Sequence, residues 1–251
     1  MARYVEYTPD VFSQVDRGVN VWWFPTTFSQ SQLGDRVIGS NACTLIAVLL
    51  GGRVSEFNIV IWGYQDQPLS RMLVTSLAEA IIEGNEIHES LMAEGKVTSM
   101  DLTVPEALRA VRFKYPNLVE WGDRTAFVNE PLSETLIENL LPVIIDFEHA
   151  PPERKRPNTD LFAVLVCDGR SVLFIYQPST AKVTVIDSHA HTSCLSGAVI
   201  AQARVGDLEQ LCNWFFAMLT QSFERGARVQ PYELAFLYIR DDAINPSPSP
   251  S

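Results

Sequence analysis

The chain has 251 residues, of which 47% are hydrophobic, 20% charged and 10% aromatic; this is ordinary globular usage and excludes disordered, collagenous and coiled-coil classes. A chain this long buries roughly 70% or more of its unfolded surface, so disulfides are not needed for stability. With 19 Lys and Arg against 30 Asp and Glu the net charge is −11, and the basic residues are scattered; a nucleic-acid partner is not expected, and a cationic peptide tail suits such a surface better.

The first residues lack the basic segment and apolar core of a secretory leader, and no apolar run reaches the ~18 residues of a membrane span. A cytoplasmic, reducing compartment is therefore expected, with Cys43, Cys167, Cys194 and Cys212 as free thiols. They form no CxxC pair and no compact Cys/His spacing, so no metal or cofactor is expected. The run Trp22-Trp23-Phe24 reads either as core or as an exposed patch for a partner. Asn41 before the apolar residues 42–50, and Gly51-Gly52 after them, predict a short buried helix that stops at the glycines and holds Cys43 in its first turn. Apolar residues at three and four (Leu73, Leu77, Ile81) predict a longer helix over 69–94, closed by Gly95. Further helices are expected over 104–115 and 133–141. His88 and His149, beside Glu86 and Glu148, read as surface residues.

The texture then changes. The β-branched and aromatic runs 142–147, 161–167, 171–176 and 182–187, punctuated by Asp168-Gly169 and 177–180, predict an antiparallel meander. Arg154-Lys155-Arg156, bracketed by prolines, reads as a solvated loop. A helix over 207–223 and a strand over 232–239 follow. The alternating Pro and Ser at the end cannot build a core, so 244–251 is expected to be disordered, like the start of a linker. Helices first and a sheet afterwards predict an α+β domain.

The sharpest constellation is Cys43 early and Asp187-Ser188-His189 late. A nucleophilic cysteine needs a lowered thiol pKa, which a helix N-terminus and a nearby imidazolium both supply. On an extended strand residues i and i+2 share a face, so Asp187 can orient His189. His191, at i+4, competes for that role but lies past the strand, in a loop. Each piece also has a plainer reading, Cys43 as a core residue and Asp187-x-His189 as a turn. Cys167 and Cys212 fall in buried-looking elements, whereas Cys194 in its loop stays open as a nucleophile. A developing oxyanion needs an amide donor, and Gln30 and Gln32 precede Cys43 at suitable distance.

Gln30 ahead of Gly39-Ser40-Asn41-Ala42-Cys43-Thr44, with Val185-Ile186-Asp187-Ser188-His189-Ala190-His191 at the end of a late strand, resembles the papain-like cysteine peptidases. Among them the likeness is to the deubiquitinase domain of herpesvirus tegument proteins, in which the acidic residue precedes the histidine as Asp-x-His. The resemblance covers about residues 28–191 in order and spacing. It implies a single papain-like α+β domain over 1–243 and thiol-dependent cleavage after the Gly-Gly terminus of ubiquitin or a ubiquitin-like modifier. In that scheme Cys43 is the nucleophile, His189 the general base, Asp187 its orienting partner and Gln30 the oxyanion donor. Ala42 and Thr44 beside Cys43 depart from the aromatic or small polar neighbours frequent in that group. Two alternatives share the fold: an inactive module that binds a protein partner, and an enzyme that passes the acyl group to an amine instead of water.

Overall fold

The computed structural model describes residues 9–36, 39–63, 68–97, 99–222 and 231–241; the Pro/Ser segment at 244–251 lies outside them. A hairpin comes first, β1 (Phe12–Asp16) and β2 (Val19–Trp23), joined by Arg17 and Gly18, both at positive φ. Three helices follow: α1 (Cys43–Glu56), α2 (Arg71–Ala93) and α3 (Val104–Val111). Two short strands, β3 (Leu118–Glu120) and β4 (Ala126–Val128), lead to α4 (Leu132–His149). Then come β5 (Leu161–Cys167), β6 (Arg170–Gln177), β7 (Lys182–Asp187), β8 (Val199–Arg204), α5 (Leu208–Ser222) and β9 (Tyr232–Ile239).

The strands form one sheet in the order β1-β2-β8-β7-β6-β5-β9-β3, with β4 also on β9, and the pairings are antiparallel. The fold class is α+β, as expected. Both faces of the sheet are covered, which is why β5 reads as an unbroken apolar run instead of an alternating one. Phe162, Val164, Leu173, Ile175 and Ile186 face α1, α2 and α3, while Leu161, Leu165, Phe174, Val185 and Val199 face α4 and α5.

The central helix differs from expectation. α1 runs straight through Gly51 and Gly52 to Glu56, and every residue from Cys43 to Val54 is buried. The glycines mark close packing: a Cβ on Gly52 would sit 2.5 Å from the Tyr115 ring, and one on Gly51 3.3 Å from Phe162. An all-round buried helix needs no polar face, and Gly is what lets it lie flat between a sheet and two helices. Gly84 in α2 does the same against Ile46. The one charged side chain of α1's buried stretch, Arg53, is paired to Glu79 and Glu83 of α2, and Lys114 closes the cluster at 2.6 Å from Glu83.

Other expectations are corrected too. Residues 142–147 are not a strand but the second half of α4; Leu136, Leu140, Val143, Ile144 and Phe147 share its buried face at helical spacing, and Pro142 lies inside the helix. α3 stops at Val111. Trp22 and Phe24 are buried core, whereas Trp23 is half-buried. His88 is buried, its Nε2 2.8 Å from the Met100 carbonyl. Lys155 leaves the expected solvated loop and lies 4.1 Å over the Phe147 ring. Among the described residues no helix is long and apolar enough to cross a membrane, and no group of three or more His, Cys, Asp or Glu is placed to hold a metal ion.

Candidate active site

Cys43 is the first residue of α1, so its sulfur sits where the helix's unpaired N–H groups concentrate positive potential. Ala42, not Asn41, occupies the cap, and its N–H donates to Ser40 Oγ at 3.1 Å. The helix start abuts the β5–β6 turn: Cys43 Sγ lies 4.0 Å from the Gly169 carbonyl, and Thr44 Oγ1 is 2.8 Å from Ser171 Oγ and from the Leu102 carbonyl. Cys43 is 3% exposed.

The late motif arrives at the same end of the sheet, by a turn and not along a strand. β7 ends at Asp187. The His189 backbone N–H donates to Asp187 Oδ1 at 2.9 Å, and the His189 ring approaches the same oxygen through Nδ1 at 2.6 Å. The electrostatic influence of His189 extends to the Cys43 thiol. Burial alone would raise the Cys43 thiol, but the hydrogen bond and charge of His189, with help from Ser171, outweigh it and hold the pKa below 9.0. Burial disfavours the His189 cation, yet the Asp187 carboxylate and the Cys43 contact push its pKa up to about 9. Asp187 is fully buried, which works against its charge; the two histidines reverse this and keep it well below the usual carboxylate range. The arrangement sets a thiol of lowered pKa beside an imidazole of raised pKa, backed by a buried carboxylate.

Gln30 is 2% exposed and fixed at both ends of its amide. Its Oε1 accepts from Ser188 Oγ at 2.8 Å, its Nε2 donates to the Ser40 carbonyl at 3.1 Å, and its backbone N–H donates to the Ser188 carbonyl at 2.8 Å. Asn85 of α2 completes the network, donating to the Gln30 carbonyl at 3.0 Å and accepting from Ser40 Oγ at 2.6 Å. Gln30 thereby ties the segment before α1 to the one between Asp187 and His189. Gln32 is exposed. The positional signals for Ser188 and Asn85 were slight: an ordinary Ser inside the motif, and an Asn in mid-helix.

The remaining cysteines lack such surroundings. Cys167 is pushed up to about 12 by burial and by the nearby Asp187 and Asp168 charges, and Cys212 to about 12 by burial and Glu209. Cys194 is exposed, with Ser193 Oγ and Gln221 Oε1 nearest its sulfur, neither of them a base. It lines a groove of about 500 Å³ with Phe12, Trp23, Leu195, Trp214 and Met218. Neither Cys43 nor His189 borders that groove. His191 is where sequence reasoning fell short: it does lie past the strand, but it is fully buried and its Nε2 is 3.3 Å from the second oxygen of Asp187. The Asp-x-His-x-His spacing was the available signal.

No protein-family model matches the chain, and no curated protein matches it. Among solved structures it is similar to the crystal structure of the ubiquitin-specific protease encoded by a tegument protein of murine cytomegalovirus, in complex with a ubiquitin-based suicide substrate; identity is 14%, 89% of this chain and 87% of that chain are covered, and the TM-score is 0.46.

Proposed function

We propose that this protein is a cysteine peptidase acting on the C-terminal tail of ubiquitin or a ubiquitin-like modifier. The observation that supports the reading is the Cys43–His189–Asp187 arrangement at the start of a buried helix, in which the thiol is lowered and the imidazole raised. In this reading the Cys43 thiolate attacks the carbonyl of the scissile bond, and His189 passes its proton to the leaving amine. The Cys43 N–H and the Gln30 amide hold the oxyanion, and water then hydrolyses the thioester with His189 as base. The modifier preference rests on the order and spacing of the Gln30, Cys43 and Asp187-x-His189 motifs. A sulfur only 3% exposed fits a thin, side-chain-free tail.

A ubiquitin bearing a C-terminal electrophile tests this directly. The expected result is one adduct, on Cys43, abolished by Cys43→Ala. Folded wild-type protein that gives no adduct under reducing conditions overturns it. The binding-module alternative drew on Trp22-Trp23-Phe24, and with Trp22 and Phe24 buried only Trp23 of that run reaches the surface groove.

A further inference from the structure

Asp187 is a buried carboxylate with two oxygens to satisfy, and a buried charge persists only if it is paired. Its Oδ1 is taken by the backbone and ring of His189. Its Oδ2 points the other way, into a wall made by β2, β8 and the 191–196 turn. Trp23 pairs with Val199, and Val199 with Asp187, so the three form one row across the sheet. His191 packs beside that row: its ring meets Trp23 edge-on at 5.7 Å, and its Nε2 lies 3.3 Å from Oδ2. Its backbone is clamped by the bridge to Ser196, with N–H···O distances of 2.9 and 3.1 Å, and by Cys194 N–H at 3.0 Å.

We infer that His191 is a positioning residue: it holds the second oxygen of Asp187, so that one carboxylate is shared between two imidazoles and its first oxygen stays aimed at His189. This rests on the cysteine-nucleophile reading above and deepens it. Without His191, Oδ2 would face Trp23 in an apolar wall. A carboxylate stranded there rotates or takes up a proton, and either change withdraws the charge that sustains the His189 cation and, through it, the Cys43 thiolate. His191 therefore acts on the sulfur through two intervening residues, Asp187 and His189.

The test reads the sulfur itself in the full chain. The rate of Cys43 alkylation by iodoacetamide is followed against pH for wild type, His191→Phe and His191→Gln. Phe keeps a ring against Trp23 without a donor, and the Gln amide nitrogen reaches the Nε2 position. The Phe variant is expected to move the alkylation midpoint up by about one pH unit or more, and the Gln variant to recover most of that shift. A folded Phe variant with the wild-type midpoint overturns the inference. If the Phe variant does not fold, ¹⁵N-histidine NMR of the wild type decides: a protonated His191 Nε2 supports the contact, and an unprotonated Nε2 overturns it. A wild-type midpoint at the ordinary thiol value refutes the nucleophile reading instead, while the Nε2 state still decides the His191 contact.

Discussion

Asp187→Asn isolates what the buried carboxylate does, because the amide keeps the size and one acceptor oxygen but removes the charge. In the wild type burial disfavours the His189 cation, and the Asp187 charge and hydrogen bond overcome this to hold it near 9. Without the charge burial dominates, and the imidazole falls below its ordinary 6.5. That fall is worth ~3 kcal/mol at ~1.4 kcal/mol per pH unit. At a pH of about 7.5 the imidazolium share drops from nearly all molecules to about a tenth or less. Cys43 loses its counter-cation, and its thiol returns to 9.0 or above, where burial drives it. The assay is alkylation of Cys43 by iodoacetamide from about pH 4 to pH 10, with peptide mapping to separate the exposed Cys194. At a pH of about 7.5 the Cys43 rate should fall ~10-fold, following the imidazolium share, and hydrolysis of a ubiquitin substrate should fall with it. A variant with a native circular dichroism spectrum and an unshifted alkylation profile would refute the reasoning.

Linkage gives a second expectation. A raised His189 contributes stability that is present below 6.5 and lost as pH rises through about 9, whereas a lowered Cys43 thiol contributes stability that is lost as pH falls and complete at 9.0. Where the two windows overlap they oppose each other; in Cys43→Ala only the His189 loss remains, so its stability in urea relative to wild type should decline as pH rises toward 9, by no more than ~1.4 kcal/mol per pH unit. A constant difference would show that the two groups do not titrate as a pair. Gln30→Ala should lower kcat on a ubiquitin substrate by ~10²-fold or more, and Gln32→Ala should leave it unchanged; equal effects would remove Gln30 from the oxyanion role. Gly52→Ala should destabilise the fold by ~1–3 kcal/mol because Tyr115 blocks the methyl, while Gly51→Ala costs less because Phe162 need yield only a little. The reverse order in urea unfolding would contradict the packing argument.

Much of the sheet was legible because β5, β6, β7 and β9 are long β-branched and aromatic runs between clear turns. The short strands β1, β2, β3, β4 and β8 were not, since runs of three to six mixed residues carry little periodicity and most depend on partners distant in the chain. Residues 142–147 deceived because a proline before Val-Ile-Ile has the local look of a strand opening, and only the tertiary surroundings let α4 pass through it. Gly51-Gly52 deceived in the same way: as punctuation they read as a stop, whereas the Tyr115 and Phe162 rings that need them are unreadable from local sequence. At the site, Cys43, Asp187 and His189 were visible as chemistry with a spacing. The share taken by His191 was not, because its burial is set by Trp23 and the turn closed by Ser196.

Cys43 opens a helix early in the chain, and the imidazole that lowers its thiol arrives only after β5, β6 and β7 have been laid side by side. A chain that is unfinished, or finished but misregistered, carries four thiols of commonplace reactivity. On the peptidase reading proposed above, reactivity at position 43 is therefore a certificate of maturation: the protein cannot display it before its central strands are in place, and damage to the order of the sheet withdraws it. That reading ties chemical hazard to structural integrity, so a stray electrophile or a bystander polypeptide would meet an activated sulfur only on a correctly assembled molecule.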